Sequence, residues 1–230
     1  MNHDPSSRLP SVVSEKSYTF VPPKSSRFWP WLLSFWLPGY LRKSHAIGSW
    51  EVKGLEHMQE SLKAGHGIFI VPNHPRTSDP MALGFITKAL GQDFHVMASA
   101  HLFLQSRFNS WLLPRIGAFS VYREGMDRES LKMATDILAT ARRPLVVFAE
   151  GLITRTNDRL IDLQDGTAFI ARTAAKQRAE KVSGGKVVVH PLALRYVFKG
   201  DLEREISPIL DRIETRLSWQ PQRGLPPHAR

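Results

Sequence analysis

From Trp50 onward, short apolar runs of strand length alternate with stretches whose apolar residues recur every three or four positions. That alternation constrains the fold more than any other feature. Strands are predicted at 49–52, 67–71, 94–98, 118–122, 145–148 and 187–194, and helices at 80–90, 101–113, 128–142 and 167–180 between them. Strand and helix in turn imply the α/β class, with a mostly parallel central sheet covered by helices. A last helix is expected near 201–217. The helix at 80–90 is punctuated by Asp79 as a candidate N-cap, Pro80 at the first helical position and Gly91 just past its end.

The chain has 230 residues, 42% of them hydrophobic, which is enough for one large core and too little for two independent domains. It contains no cysteine, so chemistry must come from His, carboxylate, hydroxyl or Arg and Lys groups. A net charge of +10 calls for an anionic partner, whether nucleic acid, an anionic membrane or a phosphorylated substrate. Zinc-finger spacing, an RNA-binding aromatic signature and a P-loop are all missing, and the cations are interleaved with acids. Nucleic acid is therefore not expected as a partner. The start of the chain is polar and rich in Pro and Ser, without the features of a secretory signal, and the cytoplasmic side is the expected location.

The expected layout is a flexible polar arm over 1–27, an interfacial segment over 28–44, a catalytic domain over 45–217 and a polar tail over 218–230. The interfacial segment opens with "FWPWLLSFWLPGYL", uncharged and bracketed by Arg27 and by Arg42 and Lys43. As a helix it would reach about 21 Å, short of a hydrocarbon core of roughly 30 Å. Trp29, Trp31 and Trp36 beside flanking cations suit a membrane interface, so an N-terminal interfacial membrane-binding helical segment is expected. Packing of the same helix on the domain's own core is the alternative.

"IFIVPNHPRTSDPMA" ends an apolar strand on Asn73 and His74 and brings Asp79 five positions after the histidine. Open α/β sheets place their ligand crevices at such carboxyl ends. If the loop curls back, Asp79 can hold one imidazole nitrogen while the other accepts a proton. Asp79 also has the purely structural use of a helix cap. "GAFSVYR" ends on Arg123, and "FAEGLITR" carries Glu150, Gly151 and Arg155, so three strand ends deliver a base and two guanidinium groups to one edge. The stretch 101–119 is read either as a core helix or as a lining for an acyl chain or membrane contact.

These blocks resemble the glycerolipid acyltransferases of the 1-acylglycerol-3-phosphate acyltransferase type. That family carries an Asn-preceded His and an Asp, matched by Asn73, His74 and Asp79. It carries a Gly and apolar block ending in Arg, matched by Gly117 and Arg123, a Phe-Pro-Glu-Gly block followed by Arg, and an apolar strand with Pro, matched by "VVVHPLAL". The four blocks stand in the family's order between about residues 49 and 198. Ala149 replaces the third block's proline, Arg155 lies two positions further from Gly151 than in the commonest pattern, and Arg76 stands where a small polar residue is common.

The resemblance implies acyl transfer from acyl-CoA or an acyl carrier protein thioester to a lysophospholipid hydroxyl. His74 would act as base and Asp79 as its orienting carboxylate. Arg123, Arg155, Glu150 and Gly151 would form the acceptor site, with Arg76 as a further phosphate or headgroup contact. The thioester is a co-substrate; neither a cofactor nor a metal is implied. The expected partners are the two substrates and an anionic membrane surface, with the enzyme peripheral or monotopic on the cytoplasmic face. Among the alternatives, a serine hydrolase lacks its G-x-S-x-G elbow, and "HPRTSD" supplies only two metal ligands. A noncatalytic membrane-binding module remains a competing class.

Overall fold

The computed structural model describes residues 18–24, 26–217 and 220–230, and the chain falls into two compact units that meet in sequence at Leu194 and Arg195. The first unit is built on five parallel strands, β1 (Gly67–Pro72), β2 (His95–Ser99), β3 (Ala118–Val121), β4 (Leu145–Val146) and β5 (Val187–Leu192). Their order is β3-β2-β4-β1-β5. The α/β reading and the parallel sheet are thus borne out. The run at 49–52 is no strand: Trp50 stacks on Phe85 at 3.8 Å between ring centroids, and Val52 packs on the core. Apolar side chains there make single contacts with the core, Trp50 staying half exposed, without a ladder.

Alternation along β1 feeds two cores. Phe69 points to one face with Leu145, meeting Leu138 and Ala134 of α7 (Arg128–Thr140) and Ile170 and Ala174 of α8 (Asp165–Lys181). Ile68 and Ile70 point to the other with Val146, meeting Met58 of α2 (Leu55–Lys63) and Ile86 of α4 (Gly84–Leu90). Burial on both faces is why β1 reads as a continuous apolar run. A Cβ on Gly67 would collide with the Leu138 carbonyl oxygen, so glycine is what lets α7 close on the strand.

The helix predicted at 80–90 is broken in two, α3 (Asp79–Ala82) and α4, and Gly91 ends it in the left-handed conformation expected of it. Ser78 stands at the N-cap of α3, not Asp79. The helix predicted at 101–113 is also two, α5 (Ala100–Leu104) and α6 (Arg107–Arg115), with Ser106 capping the second through the Asn109 N–H. As a core helix it is corrected: Leu104, Phe108 and Trp111 are exposed, and of α5 and α6 only Phe103 and Pro114 are buried.

The segment at 28–44 forms α1 (Phe28–His45), which seats Leu37 on Gly84 and buries Leu41. Trp29 meets Trp111 edge to face at 4.7 Å. Phe28, Trp31, Leu32, Phe35 and Trp36 remain exposed, and their spacing places them on one stripe of the helix. Among the described residues no helix is long and apolar enough to cross a membrane. Of the arm assigned to 1–27, residues 1–17 and 25 lie outside the described residues. Val21 lies against β3, its carbonyl accepting from the Ser120 N–H and its own N–H donating to the Ser120 hydroxyl.

The second unit holds α9 (Leu202–Arg216), capped by the Asp201 side chain on the Arg204 N–H. Of the stretch read as a polar tail, 218–219 lie outside the described residues and the rest returns to α9. There Arg230 pairs with Asp211 and Glu214, and the Gln222 N–H donates to Glu214.

Candidate active site

In a parallel sheet every strand presents its carboxyl end to the same edge, and β1 and β4 are neighbours whose outgoing connections lead to opposite sides, toward β2 and β5. Such a switch point leaves a crevice. The loop after β1 carries His74 and the loop after β4 carries Glu150 and Gly151.

His74 Nδ1 lies 2.8 Å from Asp79 Oδ2. Asp79 is fully buried, and its Oδ2 also accepts the Arg76 backbone N–H at 2.8 Å, so the carboxylate turns back into the loop that bears the histidine. A carboxylate only accepts, which puts the proton on Nδ1 and leaves the lone pair on Nε2. Nε2 has no hydrogen bond among the described residues, and the His74 side chain stays 15% exposed. Phe148 stacks on the imidazole at 4.2 Å and limits its rotation.

The main chain at His74 is clamped from both sides. Its N–H donates to Glu150 Oε2 at 2.8 Å, and its carbonyl accepts the Thr154 N–H at 2.9 Å. Glu150 is buried, and its Oε1 has no hydrogen-bond partner among the described residues. Asn73 pins the same loop to the end of the first unit, with Oδ1 accepting from the Leu194 N–H and Nδ2 donating to the Leu194 carbonyl at 3.1 Å.

Gly151 adopts a left-handed φ of 67°, and a Cβ there would strike Gln164 and come to 3.2 Å from Arg123 Nη2. Glycine therefore lets the Arg123 guanidinium, arriving from the end of β3, lie against the β4 loop. Arg155 follows Thr154, also with positive φ, and is exposed. The Arg76 guanidinium donates to the His45 carbonyl at the end of α1, 3.4 Å away.

His74, Asp79, Glu150, Gly151 and Arg123 are thus brought together, and Arg155 is carried next to them by Thr154. Phe148, Thr154, Gln164 and Leu194 were missed as parts of this site. Phe148 and Thr154 had a signal, since both lie within the block around Glu150, and Leu194 had one as the last residue of "VVVHPLAL"; Gln164 had none. Among the described residues no three His, Asp or Glu side chains are grouped so as to hold a metal ion.

A histidine held by a buried carboxylate, its second nitrogen without a hydrogen bond among the described residues and the Arg123 guanidinium against the neighbouring β4 loop, can take a proton from a hydroxyl. Fold and site together define an α/β protein with a carboxylate-held histidine at the carboxyl edge of its sheet. The chain belongs to the acyltransferase family, whose model, described as Acyltransferase, matches residues 50–195. No curated protein matches the chain.

Proposed function

We propose that this acyltransferase moves a fatty acyl group from acyl-CoA or an acyl carrier protein thioester to the free hydroxyl of a lysophospholipid, with 1-acylglycerol-3-phosphate as acceptor and phosphatidic acid as product. The observation that carries the reading is the 2.8 Å pair of His74 and Asp79, set beside the Arg123 guanidinium through Gly151. His74 Nε2 takes the hydroxyl proton as the oxygen attacks the thioester carbonyl. The tetrahedral oxyanion collapses, the C–S bond breaks, and the departing thiolate takes the proton back from the imidazolium. Asp79 keeps the ring in the productive tautomer and stabilises its charged form.

Arg123 and Arg155 receive the acceptor phosphate, which a planar guanidinium binds through two oxygens at once, and Arg76 adds a cation on the same edge. Fixing the phosphate fixes the glycerol hydroxyl relative to Nε2, which converts binding into rate. Glu150 serves by holding the His74 main chain. The uncharged aromatic stripe of α1 and the net charge of +10 support work at an anionic membrane surface, with the protein peripheral on the cytoplasmic face.

The decisive experiment follows thiol release from palmitoyl-CoA with and without lysophosphatidic acid, beside His74→Ala. The protein contributes no thiol of its own, because it has no cysteine. Release is expected to require the acceptor and to fall by about 10²- to 10⁴-fold in the variant. Release without acceptor would identify a thioesterase. Silence with every lysolipid, after acyl carrier protein donors as well, would leave a membrane-binding module.

A further inference from the structure

At the edge of the sheet opposite His74, the turns entering β2 and β4 bring basic side chains together. A cleft of about 170 Å³ is lined by Arg27, Arg142 and Arg143, with Gln92 and Asp93. Three guanidinium groups face one carboxylate. Among the described residues Asp93 pairs only with Arg143, at 3.8 Å, and Arg143 is further held by the Ser26 carbonyl. Arg27 is the N-cap residue of α1, makes no capping hydrogen bond with its side chain, and is followed by a first turn without an acidic residue. The positive end of the helix dipole therefore adds to the charge of the cleft.

Arg27 and Asp93 also line a second cavity, of about 460 Å³, whose walls include Phe28, Pro30, Trp31 and Lys88. A cationic cleft thus opens into an apolar groove, and the groove leads onto the exposed aromatic stripe of α1. A free phosphate would use only the cleft, whereas a phospholipid has a part for each. The helix has 18 residues, so its two ends lie about 27 Å apart. Its far end, at His45, is bonded to Arg76 of the His74 loop. A membrane lying along the stripe would meet the cleft at one end of α1 and the candidate active site at the other.

We propose that this cleft and groove form a binding site for an anionic phospholipid, with the headgroup phosphate between Arg27 and Arg142 and the glycerol and upper acyl chain against Phe28 and Trp31. The site is separate from the acceptor site and orients the protein on the membrane. The proposal rests on the peripheral placement given above, and its readout is binding, independent of turnover.

The test is cosedimentation of the full chain with vesicles of phosphatidylcholine alone and of phosphatidylcholine mixed with an equal amount of phosphatidylglycerol. Arg27→Gln with Arg142→Gln is compared with Arg128→Gln with Lys132→Gln, which removes the same charge from exposed positions of α7. The first pair is expected to weaken binding to the mixed vesicles about tenfold and the second by less than about threefold. Equal losses in the two pairs would reduce the effect to overall charge and overturn the site. Displacement of the wild type by millimolar inorganic phosphate, at an ionic strength where chloride does nothing, would overturn the lipid assignment in favour of a free anion. Failure to bind either vesicle would overturn the peripheral placement itself.

Discussion

Glu150 is a carboxylate one residue from a glycine that admits an arginine, yet among the described residues its Oε2 takes the His74 backbone N–H and no guanidinium. If an oxygen acceptor is what matters, Glu150→Gln keeps thiol release within about tenfold of wild type, because the amide oxygen can still accept. Glu150→Ala leaves a part-buried N–H unmade, lowering stability by about 1–3 kcal/mol and turnover more than the Gln variant does. Parallel assays and urea titrations separate the two, and a Gln variant as damaged as the Ala variant would make the charge itself essential. His95 is a second residue-scale case. It is buried, donates from Nδ1 to the Gly117 carbonyl at 3.0 Å, and has its pKa pushed below the ordinary 6.5 by burial, against the pull of that hydrogen bond. His190 shifts the same way, through burial and then the nearby His57. The folded state therefore binds these protons less readily than the unfolded chain. Stability is complete above about pH 6.5 and is lost as the pH falls through the lowered folded value. The urea midpoint should drop between about pH 7.5 and about pH 5.5, and more shallowly in His95→Gln. An equally steep drop in that variant would assign the loss to other groups.

At the scale of elements, β1 and α7 meet where Gly67 has no side chain. Gly67→Ala forces the Leu138 carbonyl away and should destabilise the fold by about 1–3 kcal/mol, read from the urea midpoint. A variant as stable as wild type would mean that α7 can back away freely. The strands and the longer helices were legible because burial on one or both faces imposes a period on neighbouring residues. Where prediction failed, a local pattern had a nonlocal cause. Trp50 and Val52 looked like a strand because apolar residues alternate there, but half-exposed Trp50 stacks on Phe85 and part-buried Val52 packs on the α2 and α4 core. Leu104, Phe108 and Trp111 followed helical spacing, but Trp111 is matched to Trp29 of α1 and the others face outward. Spacing states that a stripe exists without stating what covers it. The same limit applies to the site: His74, Asp79, Glu150 and Gly151 stand in recognisable blocks, whereas the Asn73 contact to Leu194 spans 121 positions and leaves no local mark.

For the whole molecule, α1 runs from the cleft at Arg27 to the Arg76 contact with the His74 loop, while its exposed side remains uncovered by the first unit. Trp31→Ala with Phe35→Ala removes two rings from the stripe and should weaken binding to phosphatidylcholine vesicles by about tenfold or more, with the fold intact by circular dichroism. Unchanged binding would remove the stripe from the membrane contact. The two-sidedness of this helix was only half legible. Fourteen uncharged residues rich in Trp and Phe left open a membrane interface or packing on the domain's own core, and which rings face outward depends on Leu37 settling on Gly84 and on Trp29 finding Trp111. By itself the sequence determined the kinds of element, the parallel sheet and the residues at its carboxyl edge, because burial period and strand-end position are properties of short stretches of chain. The tertiary structure alone decided the strand order, which sets β4 beside β1 and so brings Glu150 and Thr154 against His74, because strand pairing joins distant segments through backbone groups that every residue shares.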